Sequence, residues 1–431
     1  MAALMAAHAG QSLPKQMRTW SDVKAAYRFL NNQRIQPQQI GTAHRAWTRR
    51  QCVGRPLVLL VQDDTEIHSV KVAGGGGGQW GEVLHTTLAV TPEGQLLGLM
   101  DQRWFAHVVS AKGETRVQRM ARWRESDVWP DAARAIAQEG AEPVGCRYVH
   151  VADRASDNLV FLHACRQVGH GFVVRAQHDR CVEENTAGLW THMQQRPGVG
   201  TLTVSLGRQQ PKGGKPGRAA RSAVLTVRYG TVTLRPPKNH PTTAPAQSVQ
   251  VVYLMEEHPP EGVEAVDWML LTSESVDSFQ DACVIAGYYQ CRWGIEEWHR
   301  CLKEGCRLEH CQVETVEALR RLSALLSVIA VRMLGLRDLA EGQKQTDPRM
   351  LQQSVADAWI MVVATLANVP PATLTPRAFW MTIARQGGFL SRRGDGRPGW
   401  KVIWRGWYDI SHMVRYAELL EKNNARENKC G

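Results

Sequence analysis

Residues 289–303 read Tyr-Gln-Cys-Arg-Trp-Gly-Ile-Glu-Glu-Trp-His-Arg-Cys-Leu-Lys, and this stretch carries the most specific pattern in the chain. We predict that it belongs to a helix over roughly 277–304, and at about 100° per residue four of its polar side chains fall within an arc of roughly 60°. The four are Tyr289, Arg292, Glu296 and Lys303. Apolar residues between them make the segment too hydrophobic for a fully solvated helix; these are Trp293, Ile295 and Trp298.

Two aspartates upstream each follow an apolar run of β type. Asp63 follows Leu57–Val61, and Asp153 follows Tyr148–Ala152. Carboxylates at the ends of strands in one sheet can converge on a divalent cation. Taken singly, each aspartate is better explained as an ordinary turn residue. The neighbouring Asp64 is a second candidate at the first position.

Three carboxylates beside cationic side chains suit phosphodiester chemistry. Two Mg²⁺ or Mn²⁺ ions, roughly 3.5–4 Å apart, can activate an attacking oxygen and neutralise a leaving one. Carboxylates such as those of Glu296 and the two aspartates are the usual hard ligands of these ions. Arg292 and Lys303 would neutralise phosphate oxygens, Arg292 with two parallel hydrogen bonds. Tyr289 could donate a hydrogen bond to the nucleic-acid backbone.

The composition agrees with a nucleic-acid partner. The chain has 431 residues, enough for two to four structural units. Its 52 lysines and arginines exceed its 41 acids, and the net charge of +11 favours a polyanionic partner. The sequence shows no signal peptide or transmembrane run. Ten irregularly spaced cysteines indicate free thiols in a reducing cytoplasm. A zinc site among the cysteines and histidines of 291–311 is the weaker alternative, because paired C-x-x-C spacing is missing.

The order Asp, Asp, Glu, with Tyr-x2-Arg-x3-Glu-x6-Lys around the glutamate, resembles the insertion-sequence-four (IS-four) family of transposases. The similarity continues collinearly through nearly the whole chain. Stretches that carry it are Ala26–Phe29, Gln62–Glu66, Ala152–Asp157, Phe172–Arg175, Trp268–Glu274 and Gly399–Trp407. One departure concerns residues 63–65, which read Asp-Asp-Thr where the family usually has Asp-Thr-Thr. Alignment favours Asp63 over Asp64.

The resemblance implies a metal-dependent DNA transposase that acts by a cut-and-paste route with a hairpin intermediate. It implies a homodimer that holds double-stranded DNA, both transposon ends and target, in a bacterial cytoplasm and without a membrane. Asp63, Asp153 and Glu296 match the metal-binding triad. Residues implied to contact DNA are Tyr289, Arg292, Lys303, Arg175 and Trp268, the last of which would stack on a flipped base. From the sequence alone, Trp268 is nearly as well explained as a core aromatic residue.

The predicted fold class is α/β, with an RNase-H-like mixed sheet flanked by helices. The catalytic core would span 53–172 and 265–335, separated by a β-rich insertion at 173–264. A helical N-terminal region, 1–52, would form part of a DNA-binding domain, and a helical C-terminal region, 336–431, would mediate dimerisation. Within the insertion we predict a β-hairpin over Val224–Leu234 that turns at Tyr229-Gly230.

The insertion also contains a Gly- and Pro-rich loop between Arg208 and Arg221 with five cations and no acid. Three of its cations are candidates for contact with the DNA backbone: Lys212, Lys215 and Arg218. A solvated loop without DNA contact explains the same composition equally well.

Two other functions remain open from the sequence. The similarity begins inside the family's N-terminal region, and two or three dozen residues of the end-recognition helices are expected but missing. A shortened chain of this kind could act as a non-catalytic inhibitor or DNA-binding regulator of transposition. A metal nuclease without sequence preference is the third possibility, and it predicts cleavage that ignores the transposon ends.

Overall fold

The computed structural model describes residues 1–7, 12–17, 19–68, 81–108, 112–115, 117–118, 122–184, 188–207, 219–236, 244–342 and 345–430. The strands are β1 (Leu57–His68), β2 (Gly81–Val90), β3 (Leu96–Ala106), β4 (Arg147–Ala152), β5 (Gly171–Arg175), β6 (Gly200–Leu206), β7 (Arg221–Leu234), β8 (Gln247–Met255) and β9 (Asp267–Thr272). The helices that precede β6 in the chain are α1 (Ala2–Ala7), α2 (Leu13–Gln16), α3 (Trp20–Leu30), α4 (Pro37–Ile40), α5 (Thr42–Gln51), α6 (Val128–Glu139), α7 (Leu159–Gln167) and α8 (Leu189–Gln194). The later helices are α9 (Phe279–Gln290), α10 (Trp293–Arg300), α11 (Val316–Glu341), α12 (Pro348–Ser354), α13 (Asp357–Ala367), α14 (Pro376–Gln386) and α15 (Trp400–Cys430).

The strands form one mixed sheet in the order β3-β2-β1-β4-β5-β9-β8-β7-β6. Strands β1, β4 and β5 run parallel, and the other neighbours pair antiparallel. Helices cover the central strands on both faces, so the fold is α/β and RNase-H-like, as predicted. Among the described helices, none is both long and apolar enough to cross a membrane.

Alternation along β1 shows how the sheet separates two cores. Leu59 and Val61 point into the core formed with α3, α9, α10 and α11. Val58 and Leu60 point to the other face, where Ile136 of α6 and Tyr148 of β4 pack. Successive side chains of a strand face opposite sides. The face of each residue further along β1 follows from the same alternation.

The insertion is not a separate sheet. Strands β6, β7 and β8 extend the central sheet through β9, whose other neighbour is β5. The proposed boundary at 173 falls within β5, which pairs in parallel with β4 and therefore belongs to the core. The β-rich segment thus adds three strands to the sheet that carries the predicted site.

Two local predictions were wrong. Strand β1 does not end at Val61 but continues to His68, because its second half pairs with β2. The hairpin at Tyr229-Gly230 is absent, since β7 runs straight through both residues and pairs with β8 along its length. Gly230 serves a close approach instead: a side chain there would overlap the guanidinium of Arg196. The glycine leaves room for this guanidinium and does not form a turn.

The long helix α11 joins the N-terminal region to the core. The buried Arg321 donates hydrogen bonds to the carbonyl oxygens of Leu30 (2.8 Å) and Ile35 (2.6 Å). These carbonyls lie at and beyond the C-terminal end of α3, where backbone acceptors lack partners within the helix. The N-terminal helices are thereby fixed to the same face of the sheet as α9 and α10.

Candidate active site

Asp63 lies on β1 just beyond the part of the strand that pairs with β4. The last pair joins Val61 to Val151, and the constant register between these parallel strands places Asp63 level with Asp153. Val61 and Val151 both face the core beneath α10 and α11. Because side chains alternate, the residues two positions further on face the same side. The register therefore brings the two aspartates to the same level of the sheet, and the charge of Asp153 acts on Asp63.

Asp153 follows the last residue of β4 and begins a short 3-10 turn, Arg154–Ser156. One carboxylate oxygen, Oδ1, accepts a hydrogen bond from the backbone N–H of Ala155 at 2.9 Å. This capping contact holds the side chain at the strand end. Asp153 was expected at the end of a strand, and the structure places it there.

A buried carboxylate four residues later anchors this turn. Asp157 accepts hydrogen bonds from the backbone N–H groups of Gln177 (2.7 Å) and His178 (2.9 Å). It also accepts from the guanidinium of Arg180 at 2.8 Å. The contacts tie the turn after β4 to the segment after β5. The position of Asp153 is thereby fixed from two strands.

Glu296 approaches from α10, which packs over β1. Arg292, one helical turn earlier, forms a close ion pair with Glu296 through its Nη2. Its Nη1 lies 3.5 Å from Oδ2 of Asp63. A single guanidinium therefore contacts one predicted catalytic carboxylate on the sheet and another on the helix.

The site carries more negative charge than Arg292 offsets. Burial, followed by the charge of Asp153 and then that of Glu296, raises the pKa of Asp63 to about 7 against the opposing effect of Arg292. Burial acts against the charge of Arg292 itself, but Glu296 and Asp63 raise its pKa, so it remains a cation. A buried surplus of carboxylate charge is what a divalent cation compensates.

The carboxylates of Asp63, Asp153 and Glu296 do not surround a common point in this structure. Among the described residues, no group of three or more Asp, Glu, His or Cys side chains stands at metal-coordinating distance. Arg292 occupies the space between Asp63 and Glu296 in the role of a counter-ion. The donor set of three carboxylates fits a hard divalent cation, and assembly of a coordination shell requires this guanidinium to turn aside.

The neighbouring Asp64 points to the opposite face of β1. Its Oδ1 lies 2.5 Å from Nδ1 of the buried His85. His85 Nε2 lies 3.1 Å from the Gln62 side-chain oxygen, and the Gln62 amide contacts His150 in turn. His150 Nε2 lies 2.9 Å from Nδ1 of His170. Asp64 is therefore the first member of a buried polar chain beneath the sheet, directed away from Glu296.

The predicted long helix that presents Tyr289 and Lys303 is divided into three parts. Helix α9 ends at Gln290, α10 follows, and Cys301–Gly305 forms a π-helical turn. Tyr289 is buried in the last turn of α9. Lys303 lies in the π-helical turn, with Nζ 3.5 Å from Oε1 of Glu309. Such turns are wider than an α-turn and often occur at functional sites, so Lys303 is displaced from the position that an ideal helix would give it.

The remaining predicted DNA contacts are differently placed. Trp268 on β9 is only 7% exposed, and its ring packs edge-on against Tyr289 with 5.3 Å between centroids. Arg175 at the end of β5 donates a hydrogen bond to the backbone oxygen of Asp267 at 2.5 Å. Three predicted contacts lie outside the described residues, namely Lys212, Lys215 and Arg218.

Sequence reasoning missed one residue of the site. His299 is buried with Nδ1 4.0 Å from Oδ2 of Asp63. Burial, then the charge of Lys303, lowers its pKa to about 3, so the imidazole is neutral. Its position three residues after Glu296, on the same helix face, was the signal that could have identified it. Trp293, one of the three apolar residues of this segment, is 48% exposed, and the guanidinium carbon of Arg292 lies 5.3 Å from the centre of its ring.

An RNase-H-like sheet with carboxylates at this position suits a metal-dependent enzyme of polynucleotide chemistry. Comparison with known families specifies it further. Residues 125–332 match the family model described as a transposase DDE domain, and residues 1–35 match the one described as transposase DNA-binding. The chain is therefore a DDE transposase, a divalent-metal-dependent enzyme that acts on DNA. The DDE match includes Asp153 and Glu296 and begins after Asp63, whose place in the site rests on the strand register.

Proposed function

We propose that this chain is an IS-four family transposase, similar to the Tn-five transposase, that performs cut-and-paste transposition with a hairpin intermediate. The observation that carries the proposal is the junction of β1 and α10. There Arg292 contacts both Asp63 and Glu296, while the strand register sets Asp153 beside Asp63. Three carboxylates from distant parts of the chain, in the order Asp, Asp, Glu, thus lie around one region of the fold, with Arg292 between two of them.

In this proposal Asp63, Asp153 and Glu296 hold two Mg²⁺ or Mn²⁺ ions. Such ions, when bound, activate the attacking oxygen and neutralise the leaving oxygen of a phosphodiester. The sheet and the helix supply the ligands from opposite sides. Because the aspartates are fixed by strand register and Glu296 by helix packing, their approach needs little rearrangement of the backbone.

Arg292 then has two successive partners. In the free protein its guanidinium neutralises Asp63 and Glu296. When these carboxylates have another cationic partner, the guanidinium can turn to the DNA and donate two parallel hydrogen bonds to phosphate oxygens. Lys303 leaves Glu309 for a phosphate oxygen of the DNA in the same way. Tyr289 donates a hydrogen bond to the DNA backbone. DNA and metal binding are therefore expected to favour one another.

Hairpin formation bends a strand sharply, and an extruded base relieves the bend. Trp268 matches the tryptophan that stacks on this base in the family that the chain resembles. Its ring lies beside Tyr289 and is largely covered, so stacking requires the ring to be uncovered when DNA binds. Trp268 as a purely structural core residue is the alternative, and the two roles make different predictions for a conservative variant.

The proposed partners are double-stranded DNA, as transposon ends and target, and a second copy of the chain. Dimerisation is assigned to the helical region 336–431. Exposed apolar side chains on α15 support this assignment; they are Tyr408, Met413, Tyr416, Leu419 and Leu420. The proposed setting is a bacterial cytoplasm, on DNA.

Strand cleavage of DNA that carries the element's own terminal repeats tests the proposal. With Mg²⁺, the wild-type protein should cut at the repeat ends, and Glu296→Gln should not. Glu304→Gln changes an exposed carboxylate in the π-helical turn and is the matched control; it should cut normally. Binding to the repeats without cleavage in Mg²⁺ or Mn²⁺ would instead support a non-catalytic regulator. Cleavage that ignores the repeats would support a general nuclease.

A further inference from the structure

Glu297, the neighbour of Glu296, connects α10 to two other helices. Its Oε1 accepts a hydrogen bond from Arg300 at 2.8 Å within the same helix. Its Oε2 accepts from Nη1 of Arg337 on α11 at 3.3 Å and from the indole N–H of Trp400 on α15 at 3.2 Å. One carboxylate therefore links the catalytic helix to the C-terminal region, more than a hundred residues away.

Trp400 is itself held in place. It is the first residue of α15 and is buried. The guanidinium carbon of Arg337 lies 5.6 Å from the centre of its ring. Trp380 of α14 packs edge-on against it, with 6.1 Å between ring centroids. The indole N–H that reaches Glu297 is thus oriented by α11 and α14 together.

A second contact from α15 supports the same segment at its far end. Trp404, one turn after Trp400, packs directly over Gly305, where any side chain would overlap the indole ring. Gly305 closes the π-helical turn that carries Lys303. The first two turns of α15 therefore lie against both ends of the segment that presents Glu296 and Lys303.

We propose that Glu297 is a positioning residue: by binding Trp400 and Arg337 it fixes the rotation of α10 about its axis and so aims Glu296 at the metal site. Adjacent helix residues point about 100° apart, so a contact at Glu297 sets the direction of Glu296. Productive site geometry tolerates only about 10–20° of misorientation. The C-terminal helices thereby control the catalytic carboxylate, and the inference rests on the proposed role of Glu296 as a metal ligand.

Trp400→Phe tests the inference because it keeps an aromatic ring and removes the N–H donor. Glu297→Ala removes the acceptor, and Glu297→Gln restores an acceptor for Trp400 without the charge. Trp359→Phe is the matched control, since Trp359 is a buried tryptophan of α13 that stacks on Trp407 instead. Each full-length variant is assayed for nicking of terminal-repeat DNA across a Mg²⁺ series, for DNA binding and for melting temperature.

We expect Trp400→Phe and Glu297→Ala to bind DNA normally and to need about 10–100-fold more Mg²⁺ for half-maximal nicking, as found when outer contacts of metal ligands are removed. Glu297→Gln should fall between them and the wild type, and Trp359→Phe should match the wild type. Mn²⁺ binding followed by electron paramagnetic resonance gives a readout without DNA, and the same variants should bind Mn²⁺ more weakly.

The two proposals fail differently. Unchanged Mg²⁺ and Mn²⁺ dependence in Trp400→Phe and Glu297→Ala, beside an inactive Glu296→Gln, would overturn the positioning role alone. An equal shift in Trp359→Phe would also overturn it, because the effect would then reflect general loss of packing. Full activity and normal Mn²⁺ binding in Glu296→Gln would overturn the assignment of Glu296, and the positioning role with it.

Discussion

Oδ1 of Asp64 lies 2.5 Å from Nδ1 of His85, on the face of β1 opposite to Asp63. His85 sits directly across from Asp64 on β2, and its other ring nitrogen is engaged by Gln62. Asp64 is thus bound to a buried chain of histidines, whereas Asp63 faces Arg292. The pleat of the strand directs these two adjacent carboxylates to opposite faces of the sheet.

Substitution of each aspartate by asparagine should separate their roles. Asp63→Asn is expected to abolish strand cleavage, because it removes an anionic metal ligand with little change in shape. Asp64→Asn is expected to retain cleavage, because its contact lies on the other face of the sheet. Gel assays of repeat-end DNA with Mg²⁺ measure both. An inactive Asp64→Asn beside an active Asp63→Asn would reverse the assignment.

Metal affinity should fall as the pH drops below about 7. Burial, then the charges of Asp153 and Glu296, raises the pKa of Asp63 to about 7. A metal ligand must lose this proton, so the apparent affinity should decrease roughly tenfold for each pH unit below that value. The Mg²⁺ concentration for half-maximal nicking, measured at several pH values, tests this. A half-maximal concentration that stays constant through this range would contradict the raised pKa.

The raised pKa of Asp63 acts in the opposite direction on stability: the metal-free protein becomes more stable, not less, as the pH falls. Because the pKa of Asp63 is higher in the folded state, protonation favours folding. This contribution is fully present below the ordinary carboxyl pKa and is lost as the pH rises to about 7. Asp63→Asn should therefore melt with a weaker pH dependence than the wild type in this window. Parallel melting curves for the two proteins across the window would refute the prediction.

Trp268→Phe separates base stacking from core packing better than removal of the ring does. Trp268→Ala should lower the free energy of unfolding by about 3–5 kcal/mol, because the ring is buried, and all activities would then decline. Trp268→Phe keeps most of the packing but presents a smaller ring, and stacking is worth about 1–3 kcal/mol per base. We expect normal nicking and roughly tenfold fewer hairpins. Equal losses at both steps, with a lower melting temperature, would identify a core residue.

Neutralisation of the basic loop should reduce the salt dependence of DNA binding. A triple variant changes Lys212, Lys215 and Arg218 to Ala. Each lost phosphate contact lowers the slope of log K against log salt concentration by about one, so a reduction of up to about three is expected. Fluorescence anisotropy at several salt concentrations measures the slope. If the slope does not change, the loop is solvated and takes no part in binding.

The sequence by itself determined the fold class and the class of enzyme. Apolar runs ending near Asp63 and Asp153, and the spacing of Arg292 and Glu296 along a helix, are local patterns with fixed periods. Such patterns are set by neighbouring residues, so β1 begins and β4 ends where they were predicted, and α10 lies within the predicted helical segment, although β1 continues to His68 and that segment is divided. The order of the three carboxylates along the chain then indicated the family of reactions.

Only the tertiary structure shows that Asp63 and Asp64 point to opposite faces of β1, because their directions depend on which face of the strand meets α10. It also replaced the predicted turn at Gly230 by a straight strand, since the glycine accommodates Arg196 from a distant segment. The contact that Glu297 makes with the C-terminal region was likewise not predictable from the sequence. Its partner Trp400 is far away along the chain, and no local period records a contact between residues so widely separated.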